Sequence, residues 1–184
     1  MRVIAGDFRG RRLKSVPGTQ TRPTSDKVKE AAFHIMGPFF DGGVCLDLFA
    51  GSGSLGIEAI SRGFDFAVFI DNNRKAIHTV SENIKLLKIE EQTEVSRMDA
   101  FRALRVTAKN KSQFNLILID PPYSRTYYQE ILNEIIQLKL LANNGLVYCE
   151  HDTSQDLPPT IEKLEVIKTV TYGGTTAITI YQMK

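Results

Sequence analysis

Leu46-Asp47-Leu48-Phe49-Ala50-Gly51-Ser52-Gly53-Ser54-Leu55-Gly56 decides the fold. An apolar, strand-like start runs directly into a helical pattern, with Gly51, Gly53 and Gly56 at G-x-G-x-x-G spacing between them. Each glycine has an expected purpose. Gly51 permits the tight turn, Gly53 lets the backbone approach a ligand, and Gly56 lets the helix lie against the strand. A loop of this kind sits at the carboxyl edge of a parallel sheet, where such sheets bind ligands.

The chain alternates on both sides of this stretch. Val44 to Phe49 reads as a strand and Ser54 to Arg62 as a helix closed by Gly63. A strand at Ala67 to Ile70 ends in Asp71, and a helix follows from Asn73 to Leu87, with Ile77, Val80, Ile84 and Leu87 at helical spacing. Next come a strand at Thr93 to Arg97, a short helix from Ala100 to Val106, and a nearly unbroken apolar strand from Phe114 to Ile119. Thr126 to Leu138 reads as a helix and Gly145 to Glu150 as a strand. Strands apolar on both faces and separated by helices predict a parallel sheet covered on both sides. The pattern changes at the end: Leu164 to Tyr172 and Thr175 to Tyr181 flank Gly173-Gly174, as in an antiparallel hairpin. At the start, residues 2–6 and 11–16 read as a small hairpin around Asp7-Phe8-Arg9-Gly10. A helix capped by Thr24 or Ser25 then runs to Met36 and is ended by Gly37-Pro38.

Three carboxylates fall at strand ends. Asp71, twenty residues after Gly51, is placed to accept both hydroxyls of an adenosine ribose. That much suits NAD and S-adenosylmethionine equally. Asp47, inside the first core strand, can meet the cationic amino group of a methionine moiety, a need that a dinucleotide lacks. Asp99 is placed for an adenine amino group, and Asp71 and Asp99 can each equally serve as a helix N-cap.

Asp120-Pro121-Pro122-Tyr123 follows the most apolar strand and so shares the carboxyl edge with the glycine loop. Two prolines fix φ and remove two donors, which leaves their carbonyls as acceptors in a stiff loop. An exocyclic base amine is a poor nucleophile because its lone pair is delocalised. Asp120 and the carbonyl of Pro121 can each accept one of its N–H bonds and draw the nitrogen toward tetrahedral geometry. The stabilisation grows as positive charge develops on nitrogen. Tyr123 can stack on an extruded base. The competing reading is a turn that only ends a strand.

The whole chain, 184 residues with net charge +2, suits one soluble domain with a small extension. No apolar run reaches membrane-span length, and the N-terminus lacks a secretory signal, so a cytoplasmic protein is expected. Cys45 and Cys149 read as buried thiols in strands, and His34, His78 and His151 are scattered, so no metal is expected. Residues 1–29 carry eight basic and two acidic side chains, which leaves the remainder net negative. A basic arm on a mildly acidic body suggests a polyanionic partner.

Taken together, these residues resemble the class I S-adenosylmethionine methyltransferases with a D/N-P-P-Y/F motif. Within that class the chain is similar to the RsmD family, bacterial enzymes that act on N2 of a guanine in small-subunit ribosomal RNA. The resemblance spans Arg2 to Gly6 with Arg9 to Leu13, then Thr21 to Ala31, Leu46 to Gly56, Asp120 to Tyr123 and Tyr172 to Thr176. It implies a Rossmann-like α/β fold, with a mostly parallel seven-stranded sheet and an antiparallel C-terminal hairpin. Residues 1–24 would be a basic β-hairpin and linker that engages rRNA, and residues 25–184 the methyltransferase domain. It also implies S-adenosylmethionine as cofactor, held by Asp47, Phe49, Gly51, Gly53, Asp71, Asn72, Asp99 and Ala100. Asp120, Pro121 and Tyr123 would hold the target amine and base. Arg9, Arg11, Arg12, Lys14 and Arg22 are the expected RNA contacts, with Arg22-Pro23-Thr24 lying over the site. The partner would be 16S rRNA, in a small subunit or its assembly intermediate, the target guanine 966, and the enzyme a monomer. Competing expectations are an amine methyltransferase acting on adenine in DNA or RNA or on a protein glutamine amide, an NAD-linked oxidoreductase, and a non-catalytic RNA-binding module.

Overall fold

β4 (Phe114–Ile119) is the backbone of the molecule. Leu116 and Leu118 point into one core and Ile117 and Ile119 into the other, as a strand buried on both faces requires. In the computed structural model, which describes residues 1–18, 25–122 and 127–184, β4 lies beside β1 (Val44–Asp47). β1 pairs in parallel with β2 (Phe66–Asp71), and β2 with β3 (Thr93–Arg97). On its other side β4 pairs in parallel with β5 (Leu141–Asp152). β8 (Thr176–Met183) then runs antiparallel to β5, and β7 (Leu164–Tyr172) antiparallel to β8.

Among the described residues the sheet has one strand more than the seven expected. β6 (Thr160–Ile161), two residues long, closes the edge in the order β3-β2-β1-β4-β5-β8-β7-β6. So short a segment leaves no periodic signature; the pairing is made by β7 beside it. β5 also begins earlier than expected. Its first residues pair with Phe114 before a register shift between Phe114 and Leu116, and Asn144 takes a positive φ of 59° there.

One core lies under α1 (Asp26–Met36), α2 (Ser54–Ser61) and α3 (Arg74–Leu87). The other lies under α4 (Ala100–Lys109) and α5 (Tyr128–Gln137). Ser25 caps α1 by accepting from the Val28 amide at 3.3 Å. Asn73, not Asp71, caps α3, accepting from the Lys75 amide at 2.8 Å. Cys45 and Cys149 are both buried and free. No helix among the described residues is long and apolar enough to cross a membrane.

The N-terminal segment differs most from expectation. In place of two strands it forms a loop with a single antiparallel bridge, Arg2 to Arg12. Around that bridge the two arms keep backbone bonds from Val3 to Arg11, Gly10 to Val3 and Leu13 to Met1, while the amides nearer the turn go to α2. Ile4 and Ala5 donate their amides to the Glu58 carboxylate at 2.9 and 3.0 Å, and the Asp7 and Phe8 amides go to Ser61. Val3 and Leu13 are buried in the first core. The segment is therefore bound along its length to the body of the protein.

Candidate functional site

β1 and β4 are adjacent, yet the chain leaves them in opposite lateral directions, toward β2 and toward β5. Such a switch point opens a crevice at the carboxyl ends of the strands. A cavity of about 670 Å³ lies there. It is lined by Asp47, Phe49, Gly51, Asp71, Asn72, Asp99, Ala100, Asp120 and Pro121, so nine of the expected cofactor and catalytic positions converge on one space. Tyr123 and Arg22 fall outside the described residues.

Gly53 lies between Ser52 and Ser54, which line the cavity. It sits at φ +84°, and a Cβ there would lie 2.5 Å from Val80 Cγ2, so glycine permits packing of the loop on α3. Gly56 packs as expected: a Cβ would stand 2.4 Å from the Phe69 ring. Gly51 has open space beside it and donates its amide to Asp71 Oδ2 at 2.9 Å. Asp71 Oδ1 takes the Asn73 amide at 2.8 Å, so this half-buried carboxylate ties the loop to the end of β2 while facing the cavity. Asp99 is an N-cap that also faces the cavity. Its Oδ1 caps α4 through the Arg102 amide at 3.0 Å, and the side chain borders the cavity.

Asp47 is buried at the base of the glycine loop. Oδ2 accepts the Gly56 amide in the first turn of α2 at 3.2 Å, whereas Oδ1 is buried with no hydrogen-bond partner. Burial pushes this carboxyl up to about 7, although the Gly56 and Phe49 amides draw it down. No lysine or arginine among the described residues lines the cavity. A buried, half-satisfied carboxylate in such a place fits a ligand that brings its own cation. The same geometry disfavours a dinucleotide. The α2 terminus, where a pyrophosphate would bind, already holds the protein's own anion.

Pro121 is buried and Asp120 half-buried directly beyond β4. Phe101 and Tyr127 also line the cavity, with ring centroids 6.2 Å apart and planes at 73°. Neither was anticipated from sequence, although Phe101 follows Asp99 by two residues and Tyr127 follows the tetrapeptide by four. Beneath Asp120 lies a buried network on β5 that was likewise not anticipated. The Tyr148 hydroxyl donates to Glu150 Oε2 at 2.8 Å, and the Tyr128 hydroxyl donates to the Glu150 carbonyl. Burial, with the Glu150 and Asp120 carboxylates adding to it, drives the Tyr148 phenol well above its ordinary value and keeps it protonated as a donor.

Two further clamps join the glycine loop to the N-terminal segment. Asn83 of α3 donates to the Ser52 carbonyl at 2.8 Å and to the Lys14 carbonyl at 3.0 Å, and accepts the Lys14 amide at 2.8 Å. Lys29 of α1 donates to the Arg2 carbonyl at 2.8 Å and to Ser54 Oγ at 3.0 Å, and pairs with Glu58 at 3.2 Å. Arg62 completes this buried group, 2.8 Å from Glu58. Of the expected RNA contacts, Arg9, Arg11, Arg12 and Lys14 are exposed on the N-terminal segment. Arg11 also reaches the Leu86 carbonyl, and Lys14 pairs with Glu82 at 2.7 Å.

Known proteins share both the sequence and the architecture. YlbH of Bacillus subtilis (strain 168) is 47% identical over 184 residues, the whole of both chains. Ribosomal RNA small subunit methyltransferase D of Haemophilus influenzae is 34% identical over 94% of this chain and 89% of its own. The solved structure of yhhF from Escherichia coli superposes with a TM-score of 0.85 at 32% identity, covering 100% of this chain and 98% of that one. The family model described as conserved hypothetical protein 95 matches residues 1–182, and the chain belongs to that family, the RsmD family of methyltransferases.

Proposed function

We propose that the protein transfers a methyl group from S-adenosylmethionine to the exocyclic N2 amine of guanine 966 in 16S rRNA. S-adenosylmethionine supplies an electrophilic sulfonium methyl when bound. The observation that carries the reading is the convergence of Asp47 and Asp120-Pro121 on one cavity that holds no basic side chain among the described residues. Asp47 Oδ1 would receive the ammonium of the methionine moiety, Asp71 the ribose hydroxyls and Asp99 the adenine amine. Phe49, Gly51, Asn72 and Ala100 would form the remaining wall. Gly53, packed against Val80, would hold the loop backbone close to the cofactor.

Asp120 and the Pro121 carbonyl would accept the two N–H bonds of the target amine and hold its lone pair in line with the methyl group. Fixing two reactants in this way, with acceptors that strengthen as the nitrogen becomes cationic, accounts for catalysis without a covalent intermediate. Tyr123 would stack on the base. Residues 1–24, with Arg9, Arg11, Arg12, Lys14 and Arg22, would be the rRNA-engaging extension of a methyltransferase domain spanning 25–184. The partner would be 16S rRNA in a small subunit or its assembly intermediate, met by one copy of the enzyme. The small-subunit rRNA methyltransferases among the relatives support rRNA over DNA or protein as the acceptor.

Incubation with labelled S-adenosylmethionine and, in parallel, naked 16S rRNA, small subunits, DNA and release-factor protein tests the reading. Label is expected on guanine N2 of the rRNA, and label only in DNA or protein refutes the substrate. Asp120→Ala should slow transfer by about 10²- to 10³-fold while S-adenosylmethionine still binds. Unchanged transfer sinks the mechanism.

A further inference from the structure

A second concavity, of about 740 Å³, lies on the other side of the ridge formed by Lys14, Ser15 and Val16. Ser15 lines both spaces. The far wall of this groove is the exposed face of α3, with Arg74, Lys75, His78 and Glu82, and the near wall is Lys14. Glu82 is engaged by Lys14 at 2.7 Å and by His78 at 3.6 Å. No carboxylate among the described residues pairs with Arg74 or Lys75, so the groove carries an excess of positive charge. These two cations occupy the first turn of a fourteen-residue helix that has no acid in that turn, an arrangement the helix dipole opposes. Helix stability therefore does not explain them. Local rules broken without internal compensation point to an external partner. On the same turn of α3, Asn73 and Ala76 face the reaction cavity while Arg74 and Lys75 face the groove.

We infer that this groove is a binding site for the RNA backbone, in which Arg74 and Lys75 contact phosphates of the strand that flanks the extruded base. The inference rests on the RNA-methyltransferase reading and extends it from the N-terminal segment to the first turn of α3. A base seated beside Asp120 leaves its neighbouring phosphates at the cavity mouth. Asp47, Asp71, Asp99 and Asp120 border the cavity, and across the Ser15 ridge the α3 face presents Arg74 and Lys75. Contacts of this kind fix register and orientation without reading sequence.

The test is the Arg74→Ala/Lys75→Ala double variant, titrated with naked 16S rRNA over a range of salt, with S-adenosylmethionine affinity measured by calorimetry on the same preparation. Removal of two single-strand phosphate contacts should weaken RNA binding and make the slope of log K against log salt shallower by about 1.4. Affinity for S-adenosylmethionine should stay at the wild-type value. An unchanged slope overturns the assignment. So does a defect that appears with assembled small subunits and not with naked RNA, which would give the groove to a ribosomal protein. Wild-type protein that methylates neither naked 16S rRNA nor small subunits removes the functional reading itself, and the groove with it.

Discussion

Asp47 is costly to the free protein in a way that a bound cation would relieve. Its carboxyl titrates near 7 in the folded state against an ordinary value of 3.8, so between those limits the folded protein keeps a proton that the unfolded chain has released. Stability accordingly falls as pH rises through that window and is level above it. A ligand ammonium at Oδ1 requires the ionised form. Affinity for S-adenosylmethionine should rise up to tenfold per pH unit below about 7 and then plateau, with a proton released on binding in the lower range. Calorimetry in buffers of different ionisation enthalpy measures both effects, and Asp47→Asn should abolish the pH dependence. Proton release that persists in the variant would assign it to another group. The position of Asp47 was legible in the sequence because its strand precedes the glycine loop. Its orphaned oxygen was not, since that depends on how α2 covers it. The packing of Gly53 was hidden for a related reason: spacing marks which residue must be glycine, but Val80, twenty-seven positions away, adds a steric demand for it.

At the scale of elements, the parallel core was the most legible part. Strands apolar on both faces, such as β4, can be buried only between two helical layers, and the helices betray themselves by periodicity and caps. The elements that departed from expectation are those whose hydrogen bonds are supplied from elsewhere. β6 exists because β7 pairs with it, and the pairing of the N-terminal arms stops after Val3 because α2 takes the amides of Ile4, Ala5, Asp7 and Phe8. Glu58 is the hub of that arrangement, bonded to two backbone amides, Lys29 and Arg62 while fully buried. Glu58→Gln keeps the shape and removes the charge, leaving two buried cations without their partner. A loss of about 3–5 kcal/mol is expected, read as a lower urea midpoint. Because the same group anchors Arg2 and Ser54, protection of the Ile4 and Ala5 amides from hydrogen exchange should fall as well. A variant as stable as wild type would show that the cluster adds nothing to the fold.

For the molecule as a whole, the order β3-β2-β1-β4-β5 brings to one edge residues that lie far apart in the chain. The site was legible largely because fold and motif agree on that edge. The aromatic pair Phe101 and Tyr127, and the Tyr148-Glu150 network, were not legible, since each depends on distant elements meeting. One consequence concerns what this edge turns away. Asp47, Asp71, Asp99 and Asp120 all border a cavity that no lysine or arginine among the described residues enters, while the cations stand outside on the N-terminal segment and α3. The cavity is thus a filter on charge: it admits an uncharged heterocycle and repels the phosphates attached to it. Guanosine should inhibit methyl transfer at lower concentration than guanosine 5′-monophosphate, and added salt should narrow the gap by screening. Equal inhibition by the two at low salt would refute the filter. A nucleotide pool rich in phosphates would then leave the cavity open to RNA, whose own phosphates the surface cations would hold at the rim.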